Sequence, residues 1–276
     1  MEIMDIIKEA FIFPSKDLAK LAVYIVLSLV TVFLGVIGGV LFFVGIMSEV
    51  LFTFIGFIIL IAAFIVGFIV MGYQITIIKS GIDGDESAPQ FIWKENLITG
   101  IKYLIVNIVY FIIPAIVVLI VGWATNLYGL SAAIFMKMWN ASVNAPANAT
   151  VVASNIIPQS ALVSLGTAMI ITGVVAAVLF IIFAFIHTMG ESRLANTDDL
   201  GVALDIPEAF KDIGRIGWGK VIAVVILICL IIFVINGIIG GLNNFVNGIS
   251  IVSIVVTPYM IFFAARATGL LYSDIA

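Results

Sequence analysis

Charge is what this chain has least of. Only 10% of its 276 residues are charged and 63% are hydrophobic, where a soluble domain carries about 25% and roughly 45–50%. A fold in water would leave that apolar excess exposed and aggregate, so the solvent has to be lipid and the bilayer is the expected partner. The net charge of −4 is small and the twelve Lys and Arg are thinly spread, which speaks against nucleic-acid binding. The single cysteine, Cys229, rules out an intrachain disulfide. With one histidine, His187, it leaves no Cys-His metal grouping, and no cofactor is expected. An intramembrane enzyme needs clustered nucleophiles, acids or metal ligands, and none is found, so the chain is not read as an enzyme. No signal-peptide cleavage pattern and no prenylation box is found.

What the chain has in abundance is long apolar runs. A span needs about 20 mainly apolar residues. Six segments qualify: Leu21 to Met47, Val50 to Ile78, Tyr103 to Ala124, Leu162 to His187, Val221 to Ile239 and Ile249 to Leu271. Only Ser48 and Glu49 separate the first two, which predicts a tight hairpin with Ser48 or Glu49 capping its second helix. Pro114 and Pro258 fall inside spans and are expected to kink or break them. Eleven of the twelve basic residues lie on one side of these spans, Lys137 being the exception. The positive-inside rule makes that side cytoplasmic, with both termini there, in a multi-pass protein of the cell membrane. Fifteen of the sixteen acidic residues fall on the same side, Glu49 excepted, and no acid is expected in the interior.

The expected fold is all-α: a single membrane domain of six transmembrane helices arranged as three two-helix repeats, about 1–80, 81–193 and 194–276. Each repeat is preceded by a cytoplasmic amphipathic helix. Ile3, Ile6, Ile7, Ala10 and Phe11 share one helical face, and Ile206, Phe210 and Ile213 do so in the third repeat. The middle segment uses Phe91, Ile92, Leu97 and Ile98 less regularly. Pro89 and Pro207 are expected to open their helices, and the apolar faces are expected either to rest on acyl chains or to cover the cytoplasmic mouth of the bundle. Three hairpins of one orientation imply an axis along the membrane normal. Lys20, Lys102 and Lys220 stand at the entries of outward spans; Lys79, Arg193 and Arg266 stand near the exits of return spans. All six are candidate headgroup or partner contacts.

Between the second and third spans run Gly72-Tyr73-Gln74, Ile77-Ile78-Lys79, the acidic turn Gly81-Ile82-Asp83-Gly84-Asp85-Glu86, Ala88-Pro89-Gln90-Phe91, Trp93 and Gly100-Ile101-Lys102. Val109-Tyr110-Phe111-Ile112-Ile113-Pro114 follows in span three, and Arg193-Leu194-Ala195 precedes Ala203-Leu204-Asp205. On these residues the chain resembles an archaeal membrane-protein family catalogued as domain of unknown function 4013. The resemblance covers nearly the whole chain and implies a membrane protein with no assigned site. Ile92 stands where that family's Pro-x-Phe-(acid)-x-Trp stretch carries an acid.

The outer loop, 125–160, holds the sequons Asn140-Ala141-Ser142 and Asn148-Ala149-Thr150, so Asn140 and Asn148 are candidate glycosylation sites expected to be exposed. Leu127, Leu130, Ile134, Phe135 and Met138 share one helical face at its start. Two functions compete, the first ahead of the second. One is a non-catalytic membrane component: a scaffold, an assembly partner or a membrane subunit of a larger system. The other is a transporter or channel for a neutral or lipid-like solute. The Pro-x-acid-x-x-base motif of the three-hairpin mitochondrial carriers is absent after Pro114. A polar cavity between the hairpins would favour transport; a sealed apolar interior would favour the scaffold.

Overall fold

The structure is a computed structural model that describes residues 1–144, 156–242 and 248–276. Among these residues every regular element is helical. In chain order they are α1 (Ile3–Lys16), α2 (Leu18–Met47), α3 (Val50–Asp83), α4 (Trp93–Ala124), α5 (Leu127–Val143), α6 (Gln159–Thr197), α7 (Leu200–Ala203), α8 (Ile206–Ile216), α9 (Trp218–Leu242) and α10 (Ser253–Tyr272). A 3₁₀ turn, Ile249–Val252, leads into the last. Six of them, α2, α3, α4, α6, α9 and α10, are long and apolar enough to cross a bilayer. The chain is therefore built as a multi-pass membrane protein. It divides into two compact units, Met1–Ile108 with Phe185–Ala276, and Val109–Ala184.

In the larger unit α2 and α3 form the expected hairpin. Their close approach is set by small residues: a Cβ on Gly45 would run into the Thr53 backbone, and one on Gly56 into Phe42 and the Gly38 carbonyl. Such seams suit a solvent that gives helices no hydrophobic reason to associate, because dispersion contacts between backbones then have to hold them together. Glu49 takes the N-cap position of α3 but makes no side-chain cap bond. Ser48 instead turns its hydroxyl back to the Val44 carbonyl, 2.8 Å away, so the expected cap is positional only.

The helix most enclosed by protein is α10. Phe262, Phe263, Arg266, Ala267 and Leu271 are at most 1% exposed, and its mean hydropathy over the spanning window is 1.6, against 2.7–3.3 in the other five. A helix surrounded by protein can carry polar groups that a lipid-facing helix cannot. It crosses α3 where Gly81 and Gly269 face each other: a Cβ on Gly269 would lie 2.8 Å from the Gly81 Cα. Its other side receives α1. Ile6, Ala10 and Phe13 are fully buried there, and Phe11 meets the rings of Tyr259 and Phe263 edge-on. Of this stripe, Ile6, Ile7 and Ala10 are enclosed by protein rather than resting on acyl chains, while Phe11 stays partly exposed, as do Met4 and Ile12 beside it.

Pro207 does open its helix, but Pro89 does not. Residues 84–92 form no helix and α4 begins at Trp93, so the middle hairpin lacks a separate amphipathic helix. The physical reason is a competing contact. The Tyr73 hydroxyl donates to the Pro89 carbonyl at 2.7 Å, and the Phe91 ring stacks on Tyr73 at 3.7 Å between centroids, which holds the segment against α3. Pro114 and Pro258 interrupt neither α4 nor α10. In the smaller unit, the described part of 125–160 is largely helical. Asn126 adopts a left-handed conformation (φ 55°) that ends α4 and starts α5.

A polar cavity as the candidate functional site

The six basic residues singled out by position are mostly occupied within the protein. Lys20 bonds the Ala88 carbonyl and sits 3.0 Å from the Asp17 carboxylate, and that bond holds the Asp17 carboxyl below its ordinary range. Lys102 bonds both the carbonyl (2.7 Å) and the carboxylate (2.8 Å) of Asp198. Lys220 pairs with Asp274. Arg193 bonds Asp212 at 2.8 Å and the Val202 carbonyl at 2.9 Å. Only Lys79 is exposed with no ion pair among the described residues. Arg266 is corrected outright as a headgroup contact, being 1% exposed. It donates to the Ser80 carbonyl and to Glu9, both at 2.6 Å, and lies 4.6 Å from the centre of the Phe13 ring. A guanidinium buried this deeply needs a carboxylate and further acceptors to offset its lost hydration, and α1 and α3 supply them.

The Gly72-Tyr73-Gln74 stretch has a distinct task for each residue. Gly72 and Gly100 let α3 and α4 touch, since a Cβ on either would overlap a carbonyl of the other helix, that of Asn96 or of Phe68. Tyr73 anchors the Pro89–Phe91 segment and lies within 6.1 Å of the rings of Tyr24 and Phe262. Gln74, half-buried, donates to the Tyr24 hydroxyl at 2.7 Å, so the buried hydroxyl has a partner.

One turn further along this face the packing leaves space. A cavity of about 230 Å³ lies among α3, α4, α6 and α10. Its polar lining is Gln74, Tyr103, Glu191 and Thr268; isoleucines and alanines supply the rest. The Tyr103 hydroxyl donates to Glu191 at 3.2 Å. A second cavity of about 250 Å³ adjoins it across Ile75 and is more charged, lined by Lys79, Glu95 and Asp198. The expectation of no acid in the interior is therefore corrected by Glu191. The apolar run of span four ends at His187, but α6 continues to Thr197 with Met189, Leu194 and Ala195 buried. A helical reading carried past His187 through those three apolar residues would have turned Glu191 inward.

Asn140 is exposed as expected, though on α5, where its carbonyl accepts from the Asn144 side chain at 2.7 Å. Asn148 lies outside the described residues. His187 is buried, 8% exposed, with its ring 6.1 Å from that of Tyr103.

Neither the curated proteins nor the solved structures contain a match to this chain. A family model does match: it spans residues 55–244, well over half the chain and all of the Gly72 to Pro114 stretch, and the chain belongs to the family described as Protein of unknown function (DUF4013).

Proposed function

We propose that this is a non-catalytic cell-membrane protein, N- and C-termini cytoplasmic, whose three hairpins are repeats about a membrane-normal axis and whose cytoplasmic end holds a solute-binding chamber of the kind a transporter uses. The lipid bilayer is its partner around the outside, where Phe33, Phe43, Phe54 and Phe64 are exposed.

The repeat reading is supported by contacts recurring at corresponding places. Lys20, Lys102 and Lys220 each bond the stretch just past the return helix of their own hairpin, at Ala88, Asp198 and Asp274. The arginines near the ends of the second and third return helices pair with acids on α8 and α1, as Arg193–Asp212 and Arg266–Glu9. Lys79 shares a cavity with Glu95 in the equivalent position. The amphipathic α1 and α8 are each parted from their span by one residue, Asp17 and Gly217.

The transport reading rests on one observation, the polar-lined cavity among α3, α4, α6 and α10. A scaffold has no need of a carboxylate among apolar walls, where an unpaired charge costs several kcal/mol or neutralises by taking a proton. The chamber predicts water access. In a Cys229→Ser background, Ala264→Cys, on the cavity wall, should react with a hydrophilic thiol reagent far faster than Ala267→Cys, which is fully buried. Equal, slow labelling of both would refute the chamber. The orientation predicts that Asp83→Cys, exposed at the end of α3, is modified only from the cytoplasmic face of sealed vesicles. Modification from outside intact cells would invert the topology.

A further inference from the structure

We infer that the chamber takes a small organic ammonium ion, held by Glu191 with Tyr103 fixing the carboxylate; this rests on the chamber reading above. Glu191 makes no ion pair among the described residues, and the hydrogen bond it has is the one from the Tyr103 hydroxyl. A carboxylate offers about four acceptor positions, so most of its capacity faces the cavity.

The cations on the surrounding helices point elsewhere. On α6, Arg193 is held by Asp212; on α10, Arg266 is held by Glu9 and Ser80; on α4, Lys102 is held by Asp198, and Lys94 is exposed and not part of the cavity lining. On α3, Lys79 lines the adjoining cavity together with Glu95. Gln74 and Thr268 are neutral, and the His187 ring lies beside Tyr103 rather than on the cavity wall. The site therefore holds one carboxyl group with no cation paired to it among the described residues.

Size and lining choose among cations. The cavity, about 230 Å³, equals the liquid share of roughly eight waters, more than a bare metal ion fills and enough for a short carbon skeleton. Ile75, Ile78 and Ile261 give that skeleton apolar walls. Gln74, Thr268 and the Tyr103 ring offer further contacts for an ammonium head. An ammonium on an alkyl stem fits both halves of the lining.

The test uses the full chain in lipid nanodiscs, with n-butylammonium as the probe and n-butanol as its neutral counterpart, followed by calorimetry. The wild type should bind n-butylammonium saturably and n-butanol far more weakly. Glu191→Gln should lower n-butylammonium affinity at least tenfold, and Tyr103→Phe several-fold. Should Glu191→Gln not fold, the several-fold loss expected of Tyr103→Phe decides. Equal binding of the alcohol, or affinity unmoved in these variants, overturns the proposal. Absent binding while Ala264→Cys still labels rapidly overturns the ammonium ligand and leaves the chamber standing. Absent binding with Ala264→Cys unlabelled overturns both.

Discussion

Arg266→Ala should destabilise the protein by about 3–5 kcal/mol, the cost of removing one partner from a buried charge network. Four groups lose their contact at once: the Ser80 carbonyl and hydroxyl, the Glu9 carboxylate and the face of Phe13. A void is left where α1, α3 and α10 meet, so cavity and electrostatic costs add. Glu9→Gln should cost much less. Glu9 is about a third exposed, and Arg266 keeps Ser80 and Phe13 in its absence. The ranking is read from thermal unfolding in detergent, with Arg266→Ala far below Glu9→Gln. Equal midpoints for the two variants would mean that the pair, not the arginine's whole environment, is what matters.

The second large effect is expected at Gly72. A side chain there meets the Asn96 carbonyl, which belongs to the α4 backbone and cannot rotate aside. Gly72→Leu should therefore push α3 and α4 apart, at or beyond the upper end of the roughly 1–3 kcal/mol typical of overpacking. The parting would also strip Tyr73 of the Pro89–Phe91 segment. Gly39→Ala is the control. Nothing lies within 4 Å of a Cβ at that position, so the change should be neutral or slightly stabilising through helix propensity. A Gly72→Leu protein melting like the wild type would show that the helices do not depend on this crossing.

The six spanning helices could be read from hydropathy because lipid imposes a requirement every stretch of chain meets locally: about 20 apolar residues with their backbone bonded internally. The tasks of the polar residues could not, because those are settled by partners far along the chain. Arg266 ends an apolar run and looks like a headgroup contact until Glu9, 257 residues earlier, is placed beside it. Glu191 stands in Gly190-Glu191-Ser192-Arg193, which reads as a polar exit from the membrane. Only the inward-facing Met189 and Leu194 on either side reveal that the helix is still packed. Pro89 carries a helix-opening signal, and the Tyr73 hydroxyl overrides it. Gly72 and Gly100 were visible in the motif, but which helix each lets in was not, since a glycine is equally at home in a turn, a seam or a lipid-facing surface.

The burial of α10 against α1 bears on how the protein is made. The ribosome releases α1 before α10, and the helix that will enclose its Ile6, Ala10 and Phe13 emerges only after the other five spans. Closure across so long a stretch of chain is slow compared with local hairpin formation. Meanwhile the apolar stripe of α1 has one shelter, the membrane surface. The interfacial helix that the sequence describes is then the nascent form of α1, expected to be protected from protease by the bilayer in chains halted before α10 and by the protein once α10 is in place.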